Sequence, residues 1–126
     1  MFLGTYKPNF SGKGRIVLPK KIRREINGDR VVLSIGFEEC IFGFEEKAWA
    51  NTIAPDLNRP LSDTEGRKLR RKMCANATIT ELDTQSRFVI PEELLSYAKI
   101  EDEVVIIGAG DHFEIWSPEK WQEYSK

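Results

Sequence analysis

SGKGRIVLP (Ser11–Pro19) and DTQSRFVIP (Asp83–Pro91) are two copies of one phrase: a polar turn, an arginine, three apolar residues and a proline. Subtracting positions extends the echo well beyond these nine residues. Arg15 and Arg87, Val17 and Val89, Pro19 and Pro91, Val32 and Val104, Ile35 and Ile107, Gly36 and Gly108, and Trp49 and Trp121 all stand 72 residues apart, with no gap. Ile16 with Phe88, Leu18 with Ile90, and Ile22 with Leu94 keep their character at the same offset. The chain is therefore internally duplicated. Two separate cores in 126 residues would each be marginal, so the halves are expected to pack together or within an oligomer.

Each copy reads alike. TYKPNF and ATITEL are short strand candidates, and RIVL and RFVI are β-branched second strands. Pro19 and Pro91 suit a first helical turn, so PKKIRREI and PEELLSYA are expected to be short helices burying Ile22 and Ile26, or Leu94 and Ala98. RVVLSI with CIFGF, and EVVIIG with HFEIW, read as hairpins turning at Gly36 and at Gly108 to Gly110. A closing helix follows near Glu45 and after Ser117, an N-cap. Pro55 and Pro60 are expected to break the first of these, and Ser62–Glu65 has the spacing of a capping box for a further helix carrying Leu69 and Met73. The expected organisation is a first repeat over 1–54, a helical connector over 55–75 and a second repeat over 76–126.

The net charge of −1 hides a polarity: residues 1–30 carry +6, residues 31–75 carry 0 and residues 76–126 carry −7. One face is thus expected to meet a polyanion. No apolar run is long enough for a bilayer span, and the start MFLGTYKPNF lacks a secretory pattern, so a cytoplasmic protein is expected. Cys40 and Cys74 form no CxxC pair and read as reduced core thiols. His112 is the single histidine and reads as structural, leaving no grouping for nucleophilic or metal chemistry: no enzyme, no cofactor and no small-molecule substrate are expected. Trp49, Trp116 and Trp121 read as packing anchors.

Ser11–Arg15 is the segment with chemistry. Two glycines permit close backbone approach, while Lys13 and Arg15 supply cationic donors, a combination that fits a phosphate backbone; the guanidinium of Arg15 also matches the two acceptors of a guanine edge. A tight hairpin turn with solvated charges fits the same residues. Lys20, Lys21, Arg23 and Arg24 continue the basic character, with Arg23 and Arg24 as phosphate contacts, or as stems covering apolar surface. The second copy has Glu92 and Glu93 where the first has Lys20 and Lys21; there Arg87 either pairs with Asp83 or contacts DNA. On chain neighbours alone, the first loop is expected to lead on DNA.

The repeated arginine phrase, the opening MFLGTY, the late GAGDHFEIW and the closing tryptophan helix resemble the MraZ family of bacterial transcription regulators over nearly the whole chain. Each half is similar to the AbrB-type swapped-hairpin module. The resemblance implies an α+β, mainly β fold: two tandem swapped-hairpin β-barrel halves forming an intrachain pseudo-dimer with short flanking helices. It implies a sequence-specific regulator, associated with the nucleoid, that assembles as a homo-oligomeric ring. The expected partner is double-stranded DNA, at direct repeats in the promoter of the division and cell-wall gene cluster that includes its own gene. An antitoxin-type autoregulator with a protein partner is the alternative. By the family's Asp-x-x-x-Arg signature the DNA-binding residues are Lys13, Gly14, Arg15 and Arg87. Ser11 replaces the first aspartate and so cannot pair ionically with Arg15, and Ser86 stands where glycine is common.

Overall fold

A computed structural model describes residues 1–126. In chain order the elements are β1 (Thr5–Tyr6), β2 (Arg15–Val17), α1 (Lys20–Arg23), β3 (Arg30–Ile35), β4 (Ile41–Glu45), α2 (Glu46–Leu57), α3 (Thr64–Ala75), β5 (Thr78–Glu81), β6 (Arg87–Val89), α4 (Glu92–Tyr97), β7 (Val105–Gly108), β8 (Phe113–Trp116) and α5 (Pro118–Tyr124). Pro8 restricts β1 to two residues, and Phe10 rejoins the structure through a bridge to Ile16.

The two halves exchange their first strands. β1 pairs with β7 of the second repeat, and β5 pairs with β3 of the first, at the two edges of a sheet ordered β1-β7-β8-β4-β3-β5. β2 and β6 form a separate antiparallel ribbon. Two pairings lie on the internal two-fold axis, because equivalent residues face each other there: Ile16 opposes Phe88 in the ribbon, and Phe42 opposes Glu114 between β4 and β8. The symmetry is imperfect. Tyr6 opposes Ile106, whereas its counterpart Thr78 opposes Leu33, one residue short of Ser34, the counterpart of Ile106. The halves exchange strands, but in place of the expected swapped-hairpin barrel the strands make one open sheet and one ribbon, with β1 and β5 leaving free edges.

The alternation of each strand sorts side chains into two layers. Val31, Leu33, Ile35, Ile41, Ile106, Phe113 and Ile115 face inward and pack with Ile16, Leu18, Phe88 and Ile90 of the ribbon region and with Ile22 and Leu94 of α1 and α4. Each such fully buried side chain contributes about 1.5–3 kcal/mol. Gly43 is the one position where an added Cβ would sit 2.3 Å from the Phe113 ring, so this close approach of β4 to β8 requires glycine. On the other face Cys40, Val105, Ile107 and Trp116 form a second cluster closed by Trp121 of α5, and Trp49 of α2 packs on Phe44 at 5.6 Å.

Four local expectations are corrected. α2 continues through Pro55 to Leu57. The missing Pro55 N–H forfeits the bond to the Asn51 carbonyl, while at and beyond the helix end Arg70 Nη2 donates to the carbonyls of Asp56 (3.3 Å), Leu57 (2.8 Å) and Arg59 (3.3 Å). The N-cap of α3 is Asp63 rather than Ser62: its carboxylate accepts from Glu65 N–H at 3.2 Å. The β3–β4 hairpin turns not on Gly36 but on Glu38 and Glu39, at φ 58° and 61°. The Glu39 carboxylate binds Lys99 (3.2 Å) and Lys120 (2.9 Å), which hold its pKa below the ordinary glutamate value. Both thiols are free, but only Cys40 is buried; Cys74 is exposed on α3.

Candidate nucleic-acid interface

The two arginine loops share one architecture. Ser11 N–H donates to the Arg15 carbonyl at 2.9 Å, and Asp83 N–H donates to the Arg87 carbonyl at 2.9 Å. The fourth loop residue needs a left-handed backbone in both: Gly14 at φ 72° and Ser86 at φ 61°. At Gly14 an added Cβ would also lie 2.9 Å from the Ile90 carbonyl oxygen.

The loops differ in what holds their arginine. Asp83 accepts from the N–H groups of Gln85 (2.8 Å) and Arg87 (2.9 Å), and its other oxygen accepts from Arg87 Nε at 2.8 Å. Donation from the Arg87 backbone, opposed by partial burial and reinforced by the guanidinium, lowers the Asp83 pKa. Ser11 offers no such carboxylate, and Arg15 is exposed with no ion pair. Arg87 is thus pre-oriented by its own loop while Arg15 is free.

The ribbon brings these two arginines to one surface. Ile16 and Phe88 point inward, at 0% and 2% exposure, so the residues on either side of them point outward: Arg15 and Val17 from β2, Arg87 and Val89 from β6. Arg15 lies opposite Val89, and Val17 opposite Arg87. Positions 72 residues apart in the chain become neighbours on a four-residue face with approximate two-fold symmetry.

The crossing of the halves also exchanges the flanking helices. Ile90 N–H donates to the Gly14 carbonyl (2.8 Å) and Leu18 N–H to the Ser86 carbonyl (2.9 Å), so each loop is tied to the segment leading into the other repeat's helix. The acidic α4 stands beside the basic first loop: Lys13 Nζ is 3.8 Å from Glu92, and a cleft of about 440 Å³ is lined by Gly12, Lys13, Gly14, Glu92 and Leu95. The Ser86 carbonyl accepts from Leu18, two residues before α1 opens with Lys20 and Lys21. The strand exchange thus ties the segment entering the basic α1 to the second loop and the segment entering the acidic α4 to the first. Of the remaining cations, Arg24 is exposed, and Arg23 Nη1 donates to the Ile26 carbonyl at 3.1 Å, tying it to the end of its own turn.

His112 lies elsewhere, on the opposite side of the sheet. Its ring stacks on Phe44 at 5.0 Å, and its nitrogens bond Asp111 and Glu114, both at 2.7 Å. Burial disfavours the charged imidazole, but the two carboxylates outweigh it and raise its pKa. Both nitrogens bond within its own turn and strand, and the ring packs across on Phe42 and Phe44, so it acts as a clasp between β4 and β8 through the ring. No group of three or more His, Cys, Asp or Glu side chains is arranged to hold a metal ion, and no helix is long and apolar enough to cross a membrane.

The family profile described as "MraZ protein, putative antitoxin-like" matches twice, at residues 1–72 and 73–126. The chain belongs to the MraZ family. It is 40% identical over 125 residues to the transcriptional regulator MraZ of Thermoanaerobacter pseudethanolicus, covering 99% of this chain and 87% of the relative. Similarity to the protein of the same name from Lactiplantibacillus plantarum is 40% over 124 residues (98% and 87%), and to that from Roseiflexus sp. RS-1 it is 36% over 122 residues (97% and 85%). The twofold MraZ match divides the chain at the offset that the arginine phrases disclose.

Chain spacing alone brings the two arginine phrases forward as a pair. The outward direction of Val17 and Val89 follows from the period of two around Ile16 and Phe88; nothing local in the chain encodes the tie between the second loop and the segment entering α1.

Proposed function

We propose that this protein is a sequence-specific DNA-binding transcriptional regulator, soluble in the cytoplasm and associated with the nucleoid. The observation carrying the reading is the outward face of the β2–β6 ribbon, where Arg15 and Arg87 stand at diagonal corners of one surface in a chain of the MraZ family. A two-stranded ribbon fits the major groove, and a guanidinium fork can donate to a guanine's paired acceptors. Lys13 and the Gly14 backbone lie at the mouth of the first loop, and Lys20, Lys21, Arg23 and Arg24 extend the cationic surround. In this reading Arg15 and Arg87 read bases, and the lysines with Arg24 meet phosphate.

The partner is double-stranded DNA carrying direct repeats, in the promoter of the division and cell-wall gene cluster that includes the protein's own gene. A homo-oligomeric ring would present the same face repeatedly, so that successive subunits meet successive repeats at raised effective concentration. The two halves, each completed by a strand of the other, serve as the tandem swapped-hairpin modules of such a subunit, with 55–75 as the connector. A gel-shift titration on the DNA upstream of its own gene tests the assignment. Arg15→Ala is expected to cost about 1–3 kcal/mol at the specific site; unchanged affinity removes Arg15 from the interface.

A further inference from the structure

We propose that Val17 and Val89 are specificity residues that pack on thymine 5-methyl groups. The inference rests on the DNA-binding reading above and adds to it the part of the site that recognises carbon.

Val17 is 40% and Val89 44% exposed, although Ile16 and Phe88 between the outward positions are buried and Leu18 and Ile90 just beyond are at 1%. The valines lie beside arginines that cannot cover them fully, on a surface where a water-facing β-branched residue does little for stability. Arg15 pairs across the ribbon with Val89, and Arg87 with Val17, so the face is two arginine–valine pairs related by the internal axis.

Strand geometry fixes the spacing. Outward side chains on one strand are about 6.8 Å apart, and the two strands lie about 4.8 Å apart. The first spacing matches two steps of about 3.4 Å along a DNA strand. A ribbon that brings Arg15 and Arg87 to base edges therefore brings the valines to neighbouring edges in the same groove, which is about 12 Å wide. A valine there has no donor or acceptor. Against guanine, adenine or cytosine it would strip water from a polar edge and return no hydrogen bond. Thymine alone presents a methyl group in the major groove, and carbon meeting carbon is favourable. The face therefore selects thymines placed next to the bases read by the two arginines.

The test compares two duplexes of the DNA upstream of the protein's own gene, one with thymine and one with deoxyuridine throughout, which lacks only the 5-methyl. Binding of the full-length protein is measured by fluorescence anisotropy. Wild type is expected to bind the uracil duplex about four-fold more weakly for each methyl buried. The V17A/V89A double variant, with less carbon on the face, should show a smaller uracil penalty than wild type, and the comparison of the two proteins cancels any change in DNA shape. V17T/V89T, which keeps the β-branched shape and one methyl per site, guards against loss of folding; its uracil penalty should also fall below that of wild type. Equal binding of both duplexes by wild type overturns the proposal, as does an undiminished uracil penalty in both variants. Wild type that binds neither duplex instead sinks the DNA-binding reading itself.

Discussion

Ser86 is the clearest case of a single residue in tension with its position. Its φ of 61° is a left-handed angle that costs an ordinary side chain roughly 1–2 kcal/mol, and its counterpart in the first repeat is Gly14. Ser86→Gly relieves this cost, while the greater freedom of glycine in the unfolded chain returns part of it. A net gain of about 0.5–1 kcal/mol is expected in urea unfolding; a loss would mean that the serine stabilises the loop in some other way. At His112 the sign follows from the direction of its shift. A folded pKa above the unfolded value of about 6.5 gives stability that is complete below that pH and lost as pH rises through the folded value. Thermal melts between about pH 6 and pH 9 should therefore show the advantage of wild type over His112→Asn shrinking as pH rises. A constant difference would remove the ionised clasp from the account.

At the scale of elements, periodicity and capping residues marked where most strands and helices lie. The ribbon strands, both short inner helices and the cap at Ser117, whose hydroxyl accepts from Lys120 N–H at 3.1 Å, follow local chemistry closely. The misses occur where a distant group settled the outcome. Pro55 lies inside α2, whose last carbonyls accept from Arg70 of α3, and no local reading of the α2 end contains Arg70. The start of α3 went to Asp63, which also binds Arg59 Nε at 2.6 Å and so joins the two helices. Asp63→Ala is therefore expected to cost about 1 kcal/mol through the cap alone, measured by denaturant unfolding. A value near zero would show that the cap is replaced by water.

At the scale of the whole molecule, the strand exchange redistributes charge. The acidic second half places Glu92 against the first loop, and α1 approaches the second. Salt dependence can resolve the consequence. Each phosphate contact adds about 0.9 to the slope of log affinity against log salt, so K20Q/K21Q should lower the slope by close to two if both lysines meet phosphate. E92Q should tighten binding slightly, since it removes a carboxylate beside Lys13. An unchanged slope in the lysine variant would turn α1 away from DNA and return the leading role to the first loop.

The duplication, the identity of the paired arginines and the alternation that buries Ile16 and Phe88 are legible along the chain, because each is a relation of offset or period. Which residues share a surface depends on how the two halves cross in space. β1 and β5 each complete the other half's hairpin, and β2 pairs with β6, so that Arg15 meets Val89 and Lys13 meets Glu92. The physical reason is that neither half can satisfy its strand edges and bury its apolar face alone. Once the halves cross to do so, neighbours in sequence cease to be neighbours in space.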